Sequence, residues 1–350
     1  MRPYGMGGGI AMVVSMAPLQ AEVGCAGVED VSRRGLLTGI VAAAVLTACG
    51  GAGDGGDAPA AESTTRAVNH AMGSAEVPVR PQRVVTLWRP TMAAAIQLGF
   101  DPVGAVGEAG TPMSGLAAFL PDGYSVEKIG FVGAQGGFDV EKIAALKPDL
   151  IVGALTATGP ERDRYPMLTQ IAPTVLFTWA GTTSWRQHVR DVAGALGVPE
   201  KADAIVADYN ARVGAVRAAV GGGAANVMVS LVRVQGPGVM RLETPLSFPG
   251  QVFADIGFGR PEAQRAPENK DADYIQISLE RTRDADGDLI FVMFNAGNEE
   301  AWRQIQANPL WQGLGAQRAG KVFTAEYEWW GASNYYGAHR ILEDVRKALG

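Results

Sequence analysis

Aromatic and arginine side chains follow the apolar segments in the N-terminal half of this chain. Trp88 and Arg89 follow the first segment that we predict to be a β-strand, and Trp179 follows the fourth. Indole rings stack on planar groups, and guanidinium groups pair with anionic oxygens. Because ligands of parallel α/β proteins bind outside the carboxyl ends of the strands, these positions predict one wall of a groove for a large, planar or chelated, partly anionic ligand.

The C-terminal half carries a matching set of aromatic, arginine and amide side chains around its own predicted strands. They are Arg233, Arg241, Phe294, Asn295, Tyr327, Trp329 and Trp330. We predict that they form the opposite wall of the groove. Tryptophan is also common in cores and arginine is also a common surface charge, so each position keeps a packing alternative. The remaining tryptophans, Trp185, Trp302 and Trp311, are predicted to pack in the interior.

The sequence lacks the motifs of covalent and metal catalysis. Its three histidines, His70, His188 and His339, show no metal-ligand spacing, and there is no HExxH, phosphate-binding loop or GxSxG motif. The glycine-rich segment 133–137 is typical of a turn. We therefore predict a binding protein that needs no cofactor and ligates no metal itself. An exported enzyme that uses groove carboxylates stays open as an alternative of a different class.

The first 75 residues have the composition of an export leader followed by a linker. Ser32–Leu37 gives a basic start that resembles a twin-arginine signal, and an apolar stretch follows it. Leu46–Gly50 resembles the lipobox of bacterial lipoproteins, in which the cysteine sulfur receives a diacylglycerol. We therefore predict that Cys49 is the lipidated first residue of the mature protein. Residues 1–48 are then the signal peptide, and residues 49–75 are a flexible tether rich in small and polar residues.

Net charge limits which partners the protein can bind, and cysteine content limits how its fold can be stabilised. The formal net charge of -6 opposes non-specific binding to nucleic acid. The chain has two cysteines, of which Cys25 lies in the predicted leader, so the mature protein has no disulfide to hold it together. The folded part must therefore depend on its hydrophobic core.

Beyond the tether, short apolar runs alternate with helical stretches, which predicts two α/β lobes with parallel sheets. The predicted strands are residues 83–87, 102–106, 150–154, 174–177, 227–234, 289–294 and 322–324. We place the N-terminal lobe at 76–198 and the C-terminal lobe at 224–350. Residues 199–223 are predicted to link them, with 199–220 as one long helix, because Pro199 precedes apolar residues at helical spacing and the three glycines 221–223 end it. A single helix would hold the lobes with little freedom.

A glutamate stands eight residues ahead of an aspartate in both predicted lobes. Glu141 precedes Asp149, and Glu280 precedes Asp288, and each aspartate opens an apolar run. One explanation is local, because an acid near a helix start is stabilised by typically ~0.3 to 1 kcal/mol. Equal spacing in both lobes favours a second explanation, in which the two glutamates act as a pair.

Several segments resemble the substrate-binding lipoproteins of iron-siderophore ABC importers, a group that also includes haem and cobalamin binders. The most specific segment is 141–151, and 171–175, 277–280 and 308–311 support it. The resemblance covers Val79–Leu349. It implies the class III periplasmic-binding-protein fold, in which two Rossmann-like lobes are joined by one long backbone helix and hold a ligand between them.

The same resemblance implies roles for the paired acids and for the ligand. Glu141 and Glu280 would dock onto arginines of an ABC importer permease. The protein would be a monomer, anchored through Cys49 to the outer face of the cytoplasmic membrane, and would capture a ferric siderophore. The nearest alternative is haem with Tyr327 or Tyr274 as its axial ligand. A further alternative is a scaffold or sensor that has lost transport.

Overall fold

The computed structural model describes residues 64–350 apart from residue 109, residues 111–115, 117–119, residue 122 and residues 266–270. The predicted signal peptide, the predicted lipidation site Cys49 and the first part of the predicted tether lie outside the described residues. Every helix in the described ranges is too short or too polar to span a lipid bilayer.

The N-terminal lobe is built on a six-stranded sheet. Its elements and the helix that follows are β1 (Thr65–His70), β2 (Gly73–Pro78), β3 (Val84–Thr86), α1 (Arg89–Gln97), β4 (Gly104–Gly107), β5 (Gly130–Ala134), β6 (Gly137–Phe138), α2 (Val140–Ala145), β7 (Leu150–Leu155), α3 (Glu161–Leu168), β8 (Thr174–Thr178), α4 (Trp185–Leu196) and α5 (Pro199–Val220). The strand order is β6-β5-β4-β3-β7-β8, and all neighbours are parallel except β5 and β6. Every residue of β7 is buried, as expected for an apolar strand that is covered on both faces.

Residues 65–75 are not a tether, and that part of the prediction is wrong. They form most of the β1–β2 hairpin, whose strands pair in register from Thr65 with Pro78. Val77 joins the hydrophobic core and Val68 packs against it. At the hairpin tip, Ala71 N donates a hydrogen bond to Leu176 O of β8 at 2.8 Å. The hairpin therefore covers the free edge of the sheet, where strands otherwise leave backbone groups unpaired.

The C-terminal lobe is built on a five-stranded mixed sheet. Its elements are β9 (Val229–Gly236), β10 (Val239–Glu243), α6 (Phe248–Ile256), α7 (Glu262–Arg265), β11 (Tyr274–Ser278), β12 (Leu289–Phe294), α8 (Glu299–Ala307), α9 (Pro309–Gln312), α10 (Gly315–Arg318), β13 (Val322–Glu326), α11 (Tyr327–Trp330) and α12 (Tyr335–Ala348). The order is β11-β10-β9-β12-β13. The sheet is mixed: β9, β12 and β13 are parallel, whereas the β9–β10 hairpin returns the chain antiparallel and β11 adds to that edge.

Helix α5 lies between the lobes. Pro199 is at its first position, and Gly221 ends it with φ 77°, a conformation that glycine adopts without steric cost. Tyr209 and Val213 are buried on its inner face. The helix contacts α4 of the N-terminal lobe and both α6 and α12 of the C-terminal lobe. It therefore packs on both lobes along its length, as a linking helix must.

A shared aromatic core joins the lobes under this helix. Trp185 at the start of α4 is 1 % exposed. Its ring centroid lies 5.5 Å from that of Tyr209 in α5, 5.2 Å from that of Phe248 in α6 and 4.8 Å from that of Tyr335 in α12. Edge-to-face contacts of this kind stabilise beyond the area that they bury. The lobes are thus parts of one packed body.

Polar contacts surround the aromatic core and cross the same boundary. Arg186 of α4 forms an ion pair with Asp255 of α6, and Tyr209 donates to the Asp255 carboxylate at 2.5 Å. Gln251 Oε1 accepts from Trp185 Nε1 at 3.2 Å and from Arg186 Nη1 at 2.7 Å. These bonds add to the contacts that hold α4 of one lobe against α6 of the other.

Candidate ligand-binding cleft

The N-terminal wall of the cleft consists of two tryptophans from neighbouring strands. Trp88 directly precedes α1 after β3, and Trp179 follows β8. Both are half-buried, and their ring centroids are 5.8 Å apart at an interplanar angle of 57°. They meet because β3, β7 and β8 are adjacent parallel strands whose carboxyl ends share one edge. The Trp88 Nε1 donor is buried and has no hydrogen-bond partner among the described residues.

His188 supports this wall from behind, a role that sequence reasoning did not find. It is buried in α4, and its Nε2 lies 2.7 Å from Thr91 Oγ1 of α1. Its ring meets Trp179 edge-on, with centroids 5.3 Å apart and planes at 85°. Burial lowers the pKa of His188 to about 4, so the ring is neutral at physiological pH. His188 therefore orients the Trp179 indole by packing, without adding charge to the wall.

Arg89 lies beside the tryptophans, but its charge is already paired. Its Nη1 donates to Glu108 Oε2 at 2.5 Å, and its Nε donates to Gln135 Oε1 at 3.0 Å. Both partners follow strands of the same sheet, Glu108 after β4 and Gln135 after β5. Sequence reasoning missed these two residues. Gln135 sits in the glycine-rich turn, and only the strand order shows that this turn lies next to Arg89.

A cavity of about 180 Å³ lies between the lobes. It is lined on one side by Trp88, Arg89, Pro90, Gln135, Trp179 and Thr182, and on the other by Gly331, Ala332, Ser333 and Asn334. Ser333 has φ 51°, a strained backbone conformation for a residue other than glycine, and is 7 % exposed. The segment after α11 therefore faces the tryptophan pair directly.

Two arginines stand side by side on the sheet of the C-terminal lobe. Arg233 of β9 and Arg241 of β10 are partners in the antiparallel ladder. The Arg233 Cζ lies 3.3 Å from the ring centroid of Tyr327, and the Arg241 Cζ lies 3.8 Å from that of Tyr274. Tyr327 in turn packs against Gly331, a residue of the cavity lining, because a Cβ added at Gly331 would come within 2.5 Å of its ring.

This arginine pair, Arg233 and Arg241, is suited to anionic oxygens. A guanidinium group that lies flat on a tyrosine ring keeps its in-plane N–H donors available. The Nε atoms of both arginines are buried and have no hydrogen-bond partner in the described part of the chain. An unpaired buried donor is destabilising by roughly 1–3 kcal/mol, and a ligand oxygen would supply the missing acceptor.

A buried acid lies near the arginine pair. Glu243, at the end of β10, is 6 % exposed. Burial raises its pKa to about 7, and the nearby Arg233 opposes that rise. Arg260 is also buried and donates to Val229 O at 2.7 Å and to the backbone oxygen of Glu243. Burial lowers the pKa of Arg260 to about 9. Sequence reasoning missed both residues, because neither stands directly after a predicted strand end.

Trp330 is buried, which counts against its predicted place in the ligand wall. Its side chain is 0 % exposed, and its Nε1 donates to Asp344 of α12 at 3.0 Å. Its ring packs 5.2 Å from Phe291 and 5.8 Å from Phe253, within the core. Adjacent residues on the short helix α11 point in different directions, so Trp329 stays half-buried while Trp330 turns inward.

Trp329, Trp330 and Phe294 border a second cavity of about 600 Å³, and the described residues that line it all belong to the C-terminal lobe. Its lining includes the carboxylates of Glu299, Glu326, Glu328 and Asp344 and the single guanidinium of Arg340. Phe294 also stacks on Trp302 in the core, with ring centroids 6.4 Å apart. Asn295 follows Phe294 at the end of β12 and is half-buried. Roles of Trp329, Phe294 and Asn295 in ligand binding stay predictions.

The paired glutamates are exposed on different lobes. Glu141 is in the first turn of α2, where Asp139 caps the helix by accepting from Glu141 N at 2.9 Å. Glu280 lies in a 3-10 turn over Leu279–Ala285, and its carboxylate accepts from Ser278 Oγ at 3.2 Å. Among the described residues, no group of three or more His, Cys, Asp or Glu side chains is arranged to hold a metal ion.

The predicted packing tryptophans are confirmed. Trp185, Trp302 and Trp311 are 1 %, 6 % and 0 % exposed. Trp302 and Trp311 contact each other edge-on at 5.0 Å in the core of the C-terminal lobe. The aromatic residues at strand ends are therefore divided between the core and the cleft by their local geometry.

Two α/β lobes that share a core, are linked by one helix and enclose a cleft lined by aromatic and arginine side chains define a two-lobed solute-binding protein. The chain belongs to the family described as "Periplasmic binding protein", whose model matches residues 98–328. The predicted class III fold is confirmed by solved structures of this type, such as the ferrichrome-transporter component BSU3320 of Bacillus subtilis, with a TM-score of 0.66 and 22% identity over 81% of this chain and 99% of that one.

Relatives with curated names point in one direction. The probable siderophore-binding lipoprotein YfiY of Bacillus subtilis is 32% identical over 87% of this chain and 94% of its own length. The achromobactin-binding periplasmic protein of Dickeya dadantii is 28% identical over 77% of this chain and 87% of its own length. The siderophore-binding protein from the fuscachelin gene cluster of Thermobifida fusca is similar in structure, with a TM-score of 0.62 and 26% identity over 78% of this chain and 98% of that one.

Proposed function

We propose that this protein captures a ferric siderophore and delivers it to an ABC importer. One observation carries the proposal: three buried donors beside the cleft, on both lobes, lack acceptors within the described residues. They are Trp88 Nε1, Arg233 Nε and Arg241 Nε. A ligand with anionic oxygens and planar groups would satisfy these donors and stack on the indole rings. The names of the relatives support the same class of ligand.

Iron enters such a cleft as cargo that is already chelated. The chelator supplies the oxygen ligands, so the protein needs only to recognise the outer surface of the complex. The relatives are binding proteins and not enzymes. Haem is not favoured as the ligand. Both candidate tyrosines are covered by guanidinium groups, and burial raises the pKa of Tyr327, which opposes the tyrosinate form that would ligate iron.

The exposed glutamates support the second part of the proposal, which is delivery to an ABC importer. Glu141 and Glu280 each present a carboxylate on one lobe, and the shared core between the lobes keeps the two at a constant separation. Two like charges on one rigid body can engage a two-fold permease whose arginines lie at matching positions. Cys49 would hold the protein, as a monomer, at the outer face of the cytoplasmic membrane. A lipid anchor of this kind keeps the protein near its importer.

Ligand capture is tested by tryptophan emission of the purified full chain. Titration with ferric siderophores of the carboxylate, hydroxamate and catecholate types should give saturable quenching with at least one of them. Trp88→Phe and Trp179→Phe should each reduce the quenching amplitude, whereas the buried Trp311→Phe should leave it unchanged. No saturable response with any of the three chelate types would overturn the proposal.

A further inference from the structure

Glu243 is a buried acid that lies beside the arginine pair. It is two residues from Arg241 on β10, so both side chains lie on the same face of the sheet. Its ladder partner is Tyr274, whose ring lies under the Arg241 guanidinium. Glu243 therefore lies among the groups that form the floor of the arginine pair, although it is nearly closed to solvent itself.

The charged groups around Glu243 come from every neighbouring element. Arg233 lies on β9 and Arg260 before α7, and Asp273 directly precedes β11. Tyr327 of α11 interacts with the same arginine and acid. With Arg241, the cluster holds three guanidinium groups against two carboxylates. One net positive charge is therefore left for a ligand while Glu243 is ionised, and two are left when it is protonated.

Both protonation states of Glu243 are accessible near neutral pH. Burial raises its pKa to about 7, Asp273 adds to the rise, and Arg233 and Arg260 oppose it. An anionic oxygen bound at the arginine pair would bring a further negative charge close to this carboxylate. Like charges disfavour the ionised form of an acid, and they do so more strongly in a site that excludes water.

We propose that Glu243 sets the charge of the chelate that this cleft accepts, by taking up one proton from solvent when an anionic chelate binds to Arg233 and Arg241. This inference rests on the proposed capture function and assigns Glu243 as a specificity-determining residue. A cationic chelate favours the ionised acid, so its binding takes up no proton and releases one wherever Glu243 is protonated. The proton exchange that accompanies binding therefore differs between anionic and cationic chelates.

The sign of the pH dependence follows from linkage. Since an anionic ligand favours protonated Glu243, its affinity rises as pH falls through about 7. Glu243→Gln fixes the neutral state, so the variant should bind an anionic chelate about tenfold more tightly than wild type at pH about 8. The difference should vanish at pH about 6. The substitution keeps the size of the side chain, and Arg260 bonds to the backbone oxygen of residue 243, which the change retains.

The test is isothermal titration calorimetry of the full chain in two buffers with different ionisation enthalpies at pH about 7. The probes are ferric citrate as the anionic chelate and ferrioxamine as the cationic one. We expect the wild type to take up at most about half a proton with ferric citrate, because about half of Glu243 is already protonated at this pH. With ferrioxamine it should take up none and should release protons instead. Glu243→Gln should take up none with either. Glu300→Gln, an exposed acid on α8 that pairs with Arg303, should behave as wild type.

The outcomes separate the two proposals. Tight binding of ferric citrate without proton uptake by the wild type would overturn the role of Glu243 and leave capture intact. Proton uptake that persists in Glu243→Gln would also overturn it, because another group would then be titrating. Failure of the wild type to bind either probe or any other iron chelate would overturn the capture function together with the role of Glu243. The wild-type measurement needs no variant, so a folding defect in Glu243→Gln cannot mask the result.

Discussion

The carboxylate of Asp149 accepts a hydrogen bond from the backbone N–H of Gln82 at 2.7 Å. A second bond from Arg83 N, at 2.8 Å, reaches the other carboxylate oxygen. In the C-terminal lobe, Asp288 accepts from Met228 N at 2.7 Å in the same way. Each aspartate directly precedes a central strand, β7 or β12, and holds the segment that enters the neighbouring strand, β3 or β9. The repeated spacing in the sequence therefore corresponds to one structural device used in both lobes.

Removing this device should destabilise either lobe. We expect Asp149→Ala and Asp288→Ala to lower the free energy of unfolding by about 1–2 kcal/mol each, because charge-assisted bonds to backbone donors are lost at a strand start. Urea unfolding followed by circular dichroism measures the change. Asp203→Ala is the control, since that exposed acid makes only a 4.0 Å contact with Arg190. Equal effects from all three variants would contradict the prediction.

Trp185 should be the most sensitive single position between the lobes. Trp185→Ala would remove a fully buried ring that contacts Tyr209, Phe248 and Tyr335, at a cost of about 3–5 kcal/mol. Because this ring joins both lobes, we also expect the single unfolding transition to separate into two. Chemical denaturation followed by fluorescence and circular dichroism tests both points. Trp329→Ala, at a half-buried site, is expected to have the smaller effect, and the reverse order would count against a shared core.

Stability should fall in mild acid because His188 must stay neutral. Its pKa is about 4 in the folded protein, below the ordinary value near 6.5, so the unfolded chain binds the proton first. The neutral ring therefore contributes full stability above pH about 6.5, and this contribution is lost as pH falls towards 4, by about 3 kcal/mol. His188→Gln should flatten the profile across that window in unfolding measurements. A slope identical to that of wild type would show that other groups cause it.

Transport should need both exposed glutamates, whereas capture should need neither. We expect Glu141→Gln with Glu280→Gln to reduce iron uptake by cells about tenfold or more, because charge contacts with the permease are lost. Binding of the chelate by the purified variant should stay as in wild type. Glu300→Gln serves as the matched surface control. Normal uptake by the double variant would place docking elsewhere on the protein.

Periodicity was sufficient to predict the long helix and the central strands, but not the edges of the fold. Pro199 and the glycines after Val220 are strong local signals, and helix α5 has those bounds. The β1–β2 hairpin was missed because its polar, small residues owe their order to contacts with β8, far along the chain. Strand pairing between distant segments leaves no trace in local composition.

The position of the candidate site could be predicted from the sequence, but the contacts of its individual side chains could not. Strand ends correctly placed Trp88 and Trp179 together, since parallel order alone brings those ends to one edge. The same rule could not show that Trp330 turns into the core or that Glu108 neutralises Arg89. Those outcomes depend on side-chain direction within a short helix and on which strands are neighbours. Glu243 was invisible for the same reason, because its importance comes from charged groups that other elements bring to it.

The aromatic core between the lobes should hold the cleft at a nearly constant width, so that the lobes do not close further on a ligand. Trp185 would have to leave its contacts with Phe248 before the aperture could widen. Selection by size then applies only to the portion of a chelate that enters between the walls. Groups of the chelate that project out of the cleft do not affect this selection. Related chelators that differ only in those outer groups should therefore bind with similar affinity.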